Sequence, residues 1–201
     1  MPMMAGRIHR DAWFTTSLVC EDALLSSPAD QIDAQPFAVI VMGVSGCGKS
    51  TLGALLAEAL DCPFLEGDSF HSDDAVEKMR GGCALTDEDR WPWLDRLGAA
   101  AAAAVATHGV VVTACSALRK AYRDRLRAAI GDPVRFILLD NNRDQILARL
   151  ANRPGHYMPP SLLDSQLATL ERPLAEEKVL ILETSAEPDA LRDAALGWLR
   201  G

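Results

Sequence analysis

The stretch that decides the fold is G-V-S-G-C-G-K-S at residues 43–50, which follows directly on the apolar run F-A-V-I-V-M at 37–42. The helix-forming sequence T-L-G-A-L-L-A-E-A-L comes next, at residues 51–60. A buried strand, the pattern Gly-x-x-x-x-Gly-Lys-Ser and a helix, in this order, identify a nucleotide-phosphate loop. The alternative is a glycine-rich turn that holds no ligand, and the complete eight-residue pattern between a strand and a helix disfavours it.

The loop also predicts how a nucleoside triphosphate would be held. Its glycines allow a tight turn that directs backbone N–H groups at a phosphate, and the helix that follows adds the positive end of its dipole. We expect Lys49 to reach the β- and γ-phosphates and the Ser50 hydroxyl to hold Mg²⁺. The ATP contacts predicted from this segment are Gly43, Val44, Ser45, Gly46, Cys47, Gly48, Lys49, Ser50 and Thr51.

Composition narrows the class of protein. A chain of 201 residues with 49% hydrophobic and 24% charged residues is long enough to bury one domain core. The net charge of −8 argues against a nucleic-acid partner, and the chain has no apolar run of the roughly 20 residues that cross a membrane. Its five cysteines lack paired spacing, so we expect reduced thiols in a cytoplasmic protein.

Strands and helices alternate along the chain. Apolar runs predict strands at 37–42, 63–68, 110–114, 134–139 and 179–182, and helical patterns lie at 73–80, 90–107, 118–130, 142–151, 161–171 and 188–199. This order predicts an α/β three-layer sandwich of the P-loop NTPase type, with a five-stranded parallel sheet and helices on both faces. We expect residues 36–201 to form this domain and residues 1–35 to form a poorly ordered extension without a signal peptide.

Acidic residues follow the second predicted strand. Glu66 and Asp68 are two residues apart, and strand alternation would place both on one side. We assign Asp68 as the base that accepts a proton from a substrate hydroxyl, and Glu66 as a water-mediated contact to Mg²⁺. His71 is placed to donate a hydrogen bond to a polar substrate. The alternative is that the two acids are solvated loop residues.

Cationic residues suggest an anionic acceptor. Arg90 could clamp a carboxylate with both its terminal nitrogens. Arg119, Lys120 and Arg123 begin a helix at the carboxyl end of the 110–114 strand, where ligands of open α/β sheets bind, although a basic helix face is more often solvated. The Pro- and Gly-containing segment 152–160 is typical of a lid, whose closure would bring Arg149 and Arg153 to the phosphates and exclude water.

Several segments together resemble the gluconate kinases, a family similar in fold to shikimate kinases and adenylate kinases. The most particular are L-T-D-E-D-R-W-P-W-L at 85–94 and C-S-A-L-R-K-A-Y-R at 115–123; E-G-D-S-F-H at 66–71, E-K-M-R-G-G at 77–82, R-P-G-H-Y at 153–157 and S-Q-L-A-T-L-E-R-P at 165–173 accompany them. The resemblance begins near Phe37 and runs to the C-terminus. The chain departs from the family at Ser72, where proline is usual, and at Ala75, where asparagine is usual.

The resemblance implies ATP-dependent phosphorylation of D-gluconate at its 6-hydroxyl, with Mg²⁺, a cytoplasmic location and a homodimer. With the assignments above, we expect Lys49, Asp68 and Arg153 to be the catalytic residues and His156 to contact the acceptor. Two other hypotheses remain at this point. One is a kinase for another small acid, such as shikimate, and the other is a regulatory protein that binds ATP without phosphorylating a metabolite.

Overall fold

The computed structural model describes residues 35–131, 133–151 and 160–201. Within these ranges the strands are β1 (Phe37–Met42), β2 (Phe64–Glu66), β3 (Val110–Ala114), β4 (Val134–Asp140) and β5 (Leu180–Glu183). The helices are α1 (Lys49–Ala59), α2 (Asp73–Arg80), α3 (Asp87–His108), α4 (Lys120–Ile130), α5 (Arg143–Ala151), α6 (Pro160–Thr169) and α7 (Pro188–Leu199). Each predicted strand and helix is therefore present, with ends shifted by a few residues.

The described strands form one parallel sheet in the order β2-β3-β1-β4-β5. β1 lies at its centre, where Val39 is in register with Val112 of β3 and with Arg135 of β4. Every residue of β1 is buried. A strand with neighbours on both sides and helices on both faces has no solvent side, and this explains the continuous apolar run in the sequence.

Two hydrophobic cores lie on opposite faces of the sheet. On one face α1 and α7 pack through residues such as Leu52, Leu56 and Leu199. On the other face α3 and α4 pack through residues such as Leu97 and Leu126. The predicted three-layer α/β sandwich is confirmed, because the sheet is covered by helices on both sides.

Local sequence explains where two important helices begin. Thr86 and Asp89 form a capping box, in which the Thr86 hydroxyl accepts from the Asp89 N–H and the Asp89 carboxylate accepts from the Thr86 N–H, so α3 begins at Asp87. α4 begins two residues later than predicted, because Ala117 has a φ of 41° and Arg119 is extended. The starts of both helices matter for the site, because Asp87 at the start of α3 contacts Arg119, which precedes α4.

Some predictions fall on parts of the chain outside the described residues. Residues 1–34 of the predicted extension and 152–159 of the predicted lid belong to these parts, and so do Arg153 and His156. Arg149 lies in α5, but its side chain is also outside the described part. Among the helices described, none combines the length and the apolar character needed to cross a membrane.

Candidate active site

The phosphate loop connects the central strand to α1. Gly46 and Gly48 have φ values of 80° and 105°, a conformation that side chains rarely adopt, and Lys49 is the first residue of α1. The Lys49 ammonium donates to the carbonyl of Val44 at 3.0 Å. The lysine thus folds back over its own loop, beside the helix N-terminus that would face a phosphate.

A cavity of about 390 Å³ opens beside the loop. Its walls come from elements that are far apart in the sequence: the phosphate loop, the turn after β2, α2, α3 and α6. The predicted residues that line it are Ser45, Lys49, Asp68, His71 and Arg90. A volume of this size is sufficient for a small polar molecule. The fold therefore places a phosphate-binding loop, a carboxylate and a guanidinium around one space.

Asp68 lines the cavity from a helical turn and not from the end of a strand. β2 ends at Glu66, and Gly67–Phe70 form a turn of 3₁₀-helix. The prediction that Glu66 and Asp68 lie on one side of a strand is therefore wrong, because Asp68 is not part of a strand. A Cβ on Gly67 would lie 2.3 Å from the carbonyl oxygen of Ala114, which only glycine avoids. The Trp93 indole N–H donates to the Gly67 carbonyl at 2.7 Å and fixes the turn.

His71 follows this turn and stacks on Trp93. The ring centroids are 4.3 Å apart and the planes are inclined by 15°. Burial lowers the pKa of His71 and thereby favours the neutral imidazole, and the nearby Asp68 carboxylate opposes that change. Its Nδ1 is buried and has no hydrogen-bond partner within the described residues. A neutral ring with one unsatisfied nitrogen at the cavity wall is suited to a hydroxyl-bearing ligand.

Arg90 lies at the cavity with a mostly buried side chain, of which 17% is exposed. One of its terminal nitrogens donates to the Tyr122 hydroxyl at 3.3 Å. The Tyr122 hydroxyl in turn donates to Asp87 at 2.5 Å, and burial followed by this hydrogen bond raises the pKa of the tyrosine. Arg90 is therefore hydrogen-bonded to a neutral hydroxyl and forms only a long ion pair, of 3.7 Å, with Asp87, so its charge can still be offered to an anion in the cavity.

The cations of α4 occupy other positions than predicted. Arg119 pairs with Asp87 at 2.7 Å and does not line the cavity, and Lys120 pairs with Asp124 on its own helix. Arg123 is completely buried, and two of its nitrogens donate to both carboxylate oxygens of Glu177 at 2.8 and 3.0 Å. The prediction of a basic face open to substrate is therefore wrong for Arg123, because a partner 54 residues later draws it into the interior.

The predicted Mg²⁺ ligands are an exposed hydroxyl and a half-buried carboxylate. Ser50 lies in the first turn of α1, and Glu66 ends β2. Glu66 is in register with Ala114 at the end of β3. Burial raises the pKa of the adjacent Cys115 thiol to about 12, and the charges of Lys49, Asp68 and Glu66 also act on it. The donor set fits Mg²⁺, which prefers oxygen ligands and takes one or two from protein and others from phosphate. No cluster of three metal-binding side chains occurs in the described part.

A second cavity, of about 430 Å³, lies on the other side of the phosphate loop. It is bounded by Gly46, Gly48 and Thr51 on one side and by the segment 184–188, between β5 and α7, on the other. The two cavities therefore flank the same loop. One can accept the nucleoside part of a triphosphate while the other holds a molecule that receives the terminal phosphoryl group.

Comparison with known proteins agrees with this geometry. Residues 39–173 match the family described as "AAA domain". The gluconokinase of Gluconobacter oxydans (strain 621H) is 44% identical over 167 residues, which cover 80% of this chain and 90% of that protein. The thermosensitive gluconokinase of Escherichia coli (strain K12) is 44% identical over 143 residues, covering 71% of this chain and 75% of that protein. The chain belongs to the gluconokinase family.

A solved member of the gluconokinase family has the same fold. The crystal structure of a gluconokinase from Sinorhizobium meliloti 1021 superposes with a TM-score of 0.74 at 41% identity, over 82% of this chain and 91% of that chain. Residues 1–34 lie outside the described part, and the family match begins only at residue 39.

Among the residues at the gluconokinase-family site without a predicted role, Gln166 contacts the phosphate loop directly. Gln166, on α6, lines the first cavity, and its side-chain oxygen accepts from the backbone N–H of Ser45 in the phosphate loop at 2.7 Å. The two residues are 121 positions apart. The sequence signal was the segment 165–173, which contributes to the family resemblance but does not indicate which residue contacts the loop.

Proposed function

We propose that this protein is a gluconokinase, which transfers the γ-phosphoryl group of ATP to the 6-hydroxyl of D-gluconate and yields ADP and 6-phospho-D-gluconate. The observation that carries the proposal is the single cavity that Lys49, Asp68 and Arg90 line together. It joins a donor site for a triphosphate to a carboxylate that can accept a proton and a cation that can bind a sugar acid. The 40–44% identical relatives named gluconokinase support the same activity.

Phosphoryl transfer here requires positioning and charge stabilisation. The acceptor oxygen attacks the γ-phosphorus, the bond from that phosphorus to the β–γ bridging oxygen breaks, and the hydroxyl proton passes to Asp68. Lys49 leaves the Val44 carbonyl and stabilises the negative charge on the transferred group. The carboxylate of gluconate binds Arg90, at a different part of the cavity wall from the phosphate loop, which directs the other end of the sugar acid towards the phosphate.

Mg²⁺ and ATP are the cofactor and co-substrate of this proposal. Ser50 and Glu66 would hold the ion, and the ion would neutralise phosphate charge when bound. The loop N–H groups and the N-terminus of α1 bind the phosphates, and the cavity bounded by residues 184–188 receives the nucleoside. Arg149, Arg153 and His156 belong to the same proposal as residues that approach the phosphates and the acceptor.

The family resemblance also supports a homodimer that acts in the cytoplasm on small molecules, without nucleic acid or membrane. The negative net charge and the use of cellular ATP are in keeping with this proposal. Light scattering of the purified protein across a concentration series would establish the number of subunits. A monomer at all concentrations would contradict the dimer without affecting the proposed reaction.

The experiment that tests the function is ADP release, measured with Mg·ATP alone and then with D-gluconate, shikimate or other sugar acids. Strong stimulation by D-gluconate and none by shikimate is expected. Stimulation by a different acid would keep the mechanism and change the acceptor. Tight ATP binding without stimulation by any acid would overturn the proposal in favour of a regulatory ATP-binding protein.

Two variants connect this assay to the residues. Lys49→Ala should abolish turnover, since charge stabilisation at the phosphates dominates such reactions. Asp68→Asn should lower kcat roughly 10²-fold or more while ATP binding remains, which is the scale of a lost general base. If Asp68→Asn raised only the KM for gluconate, Asp68 would be a binding residue and the assignment of the base would be wrong.

A further inference from the structure

Asp87 lies between Arg90, which lines the cavity, and Arg119, which lies outside it. Its Oδ2 accepts from Arg119 at 2.7 Å, and its Oδ1 accepts from the Tyr122 hydroxyl at 2.5 Å. The same Oδ1 is 3.7 Å from a terminal nitrogen of Arg90, beyond hydrogen-bond distance. The Tyr122 ring lies close to both guanidinium groups, with ring-centroid distances of 5.6 Å to Arg90 and 5.9 Å to Arg119.

Capping does not explain this arrangement. The N-terminus of α3 is satisfied by the reciprocal bonds between Thr86 and Asp89, which leave the Asp87 carboxylate available. Both of its oxygens are directed instead to residues at the start of α4. Asp87 therefore contributes to a contact between two helices, and one end of that contact is the arginine at the acceptor cavity.

The charges of this cluster determine which arginine can bind a ligand. The Asp87 carboxylate lies near two guanidinium groups, and its short ion pair is with Arg119. This pair lies outside the cavity, and 40% of the Arg119 side chain is exposed. Arg90 donates a hydrogen bond to the Tyr122 hydroxyl within this cluster and lies 3.7 Å from Asp87. The other ionisable residues that line the cavity are Lys49, Asp68, His71 and Arg80. The ion pair between Arg90 and Asp87 is thus the longer of the two, at 3.7 Å and without a hydrogen bond, and it cancels the positive charge of Arg90 only in part.

We propose that Arg119 determines the preference for a carboxylate acceptor without touching the acceptor. By holding Asp87 at 2.7 Å, it keeps this carboxylate 3.7 Å from Arg90, prevents a hydrogen-bonded pair between the two, and leaves N–H groups of Arg90 available for the anionic end of the substrate. This inference rests on the proposed function, in which Arg90 binds the gluconate carboxylate. Arg119 is a positioning residue, and its effect is expected on acceptor affinity rather than on chemistry.

The test compares steady-state constants of three single variants and one double variant in the full chain. Arg119→Gln releases Asp87, which then closes the 3.7 Å gap to Arg90, so the KM for gluconate should rise about tenfold or more, the scale of a lost charge-assisted hydrogen bond. Arg119→Lys keeps the charge and should stay within about threefold of the wild type, well below that effect. Asp87→Asn/Arg119→Gln removes the competing carboxylate as well, and its KM should return towards the wild-type value. The KM for ATP should not change in any of them.

A neutral acceptor separates charge from folding. D-glucitol has the stereochemistry of gluconate but a hydroxymethyl group in place of the carboxylate. D-glucitol would be tested as an acceptor or as a competitive inhibitor. Its KM or inhibition constant should be nearly the same for the wild type and for Arg119→Gln. Equal losses for gluconate and D-glucitol would show a merely structural role and overturn the inference, as would a double variant no better than Arg119→Gln.

Arg90→Gln distinguishes this inference from the function on which it rests. If gluconate does not stimulate the wild type, the proposed function fails. If gluconate is the acceptor and Arg90→Gln raises its KM while Arg119→Gln does not, the inference alone fails. If Arg90→Gln leaves the KM unchanged, Arg90 does not bind the carboxylate, and the inference fails although the enzyme remains a gluconokinase.

Discussion

Replacing Arg123 by methionine is expected to destabilise the protein severely. The Arg123 guanidinium donates to Glu177 twice, to the carbonyl of Glu171 at 3.1 Å and to that of Ala117 at 3.4 Å. Its side chain is 1% exposed and that of Glu177 is 4% exposed. Arg123→Met keeps the length of the side chain but leaves the Glu177 carboxylate buried without its main partner.

The pKa of Glu177 gives the magnitude. Hydrogen bonding from Arg123 is the main reason that this pKa falls from its ordinary 4.5 to about 2, against the opposing effect of burial. At about 1.4 kcal/mol for each pKa unit, the change corresponds to about 3 kcal/mol. This agrees with the roughly 3–5 kcal/mol lost when one partner of a buried ion pair is removed, out of a total stability of about 5–15 kcal/mol.

The same pKa predicts the dependence on pH. Because the folded-state pKa of Glu177 is lowered, its contribution to stability is fully present above about pH 4.5 and is lost as the pH falls towards 2. In Arg123→Met this contribution is largely absent at every pH, and burial raises the pKa of the unpaired carboxyl. The difference in unfolding free energy between the wild type and the variant should therefore become smaller between pH 7 and pH 3.

Urea unfolding followed by tryptophan fluorescence would measure these free energies. Arg125 is on the same helix α4 as Arg123 and forms an exposed ion pair with Asp95 of α3. Arg125→Met breaks this pair; it is the matched control and should have little effect. Arg123→Met/Glu177→Gln should recover a large part of the loss, since no charge remains buried. The reasoning would be refuted if Arg123→Met cost less than about 1 kcal/mol, or if the double variant were as unstable as the single one.

Two further substitutions test local features. Gly67→Ala would place a Cβ 2.3 Å from the Ala114 carbonyl oxygen, so the turn that carries Asp68 must move. We expect kcat to fall more than tenfold, because the base is displaced. Turnover at the wild-type rate would contradict the close contact. Ser72→Ala removes the side chain that accepts from the Ala75 N–H at the start of α2, and should lower the free energy of unfolding by about 1 kcal/mol, measured by the same urea titration. Ser72→Asp should keep the free energy of unfolding near the wild-type value, because Asp is also a good N-cap. Equal stability of the wild type, Ser72→Ala and Ser72→Asp would show that Ser72 does not cap the helix.

Much of the fold could be predicted from local patterns. The continuous apolar run of β1 indicates a strand that is buried on both faces, and the pattern from Gly43 to Ser50 indicates the loop that follows it. Thr86 and Asp89, three residues apart, have the sequence pattern of the capping box that begins α3. These features depend on neighbours within a few residues, which the sequence shows directly.

The candidate site was predicted in part for the same reason. Lys49, Asp68, His71 and Arg90 follow strand ends or begin helices, and such positions meet at the carboxyl edge of a parallel sheet. Their placement at one cavity was therefore foreseeable, whereas their roles in the reaction stay predictions. The role of Ser72 was not foreseen, because a departure from a family pattern does not show what the new side chain does.

Sequence by itself determined the order of strands and helices, the phosphate loop and the presence of cations at the start of α4. Only the tertiary structure decided what those cations do. Arg119 and Arg123 are only four residues apart, yet one pairs with Asp87, 32 residues earlier, and the other is buried on Glu177, 54 residues later. The physical reason is that a charged side chain follows the nearest opposite charge in space, and the packing of distant segments determines where that charge lies.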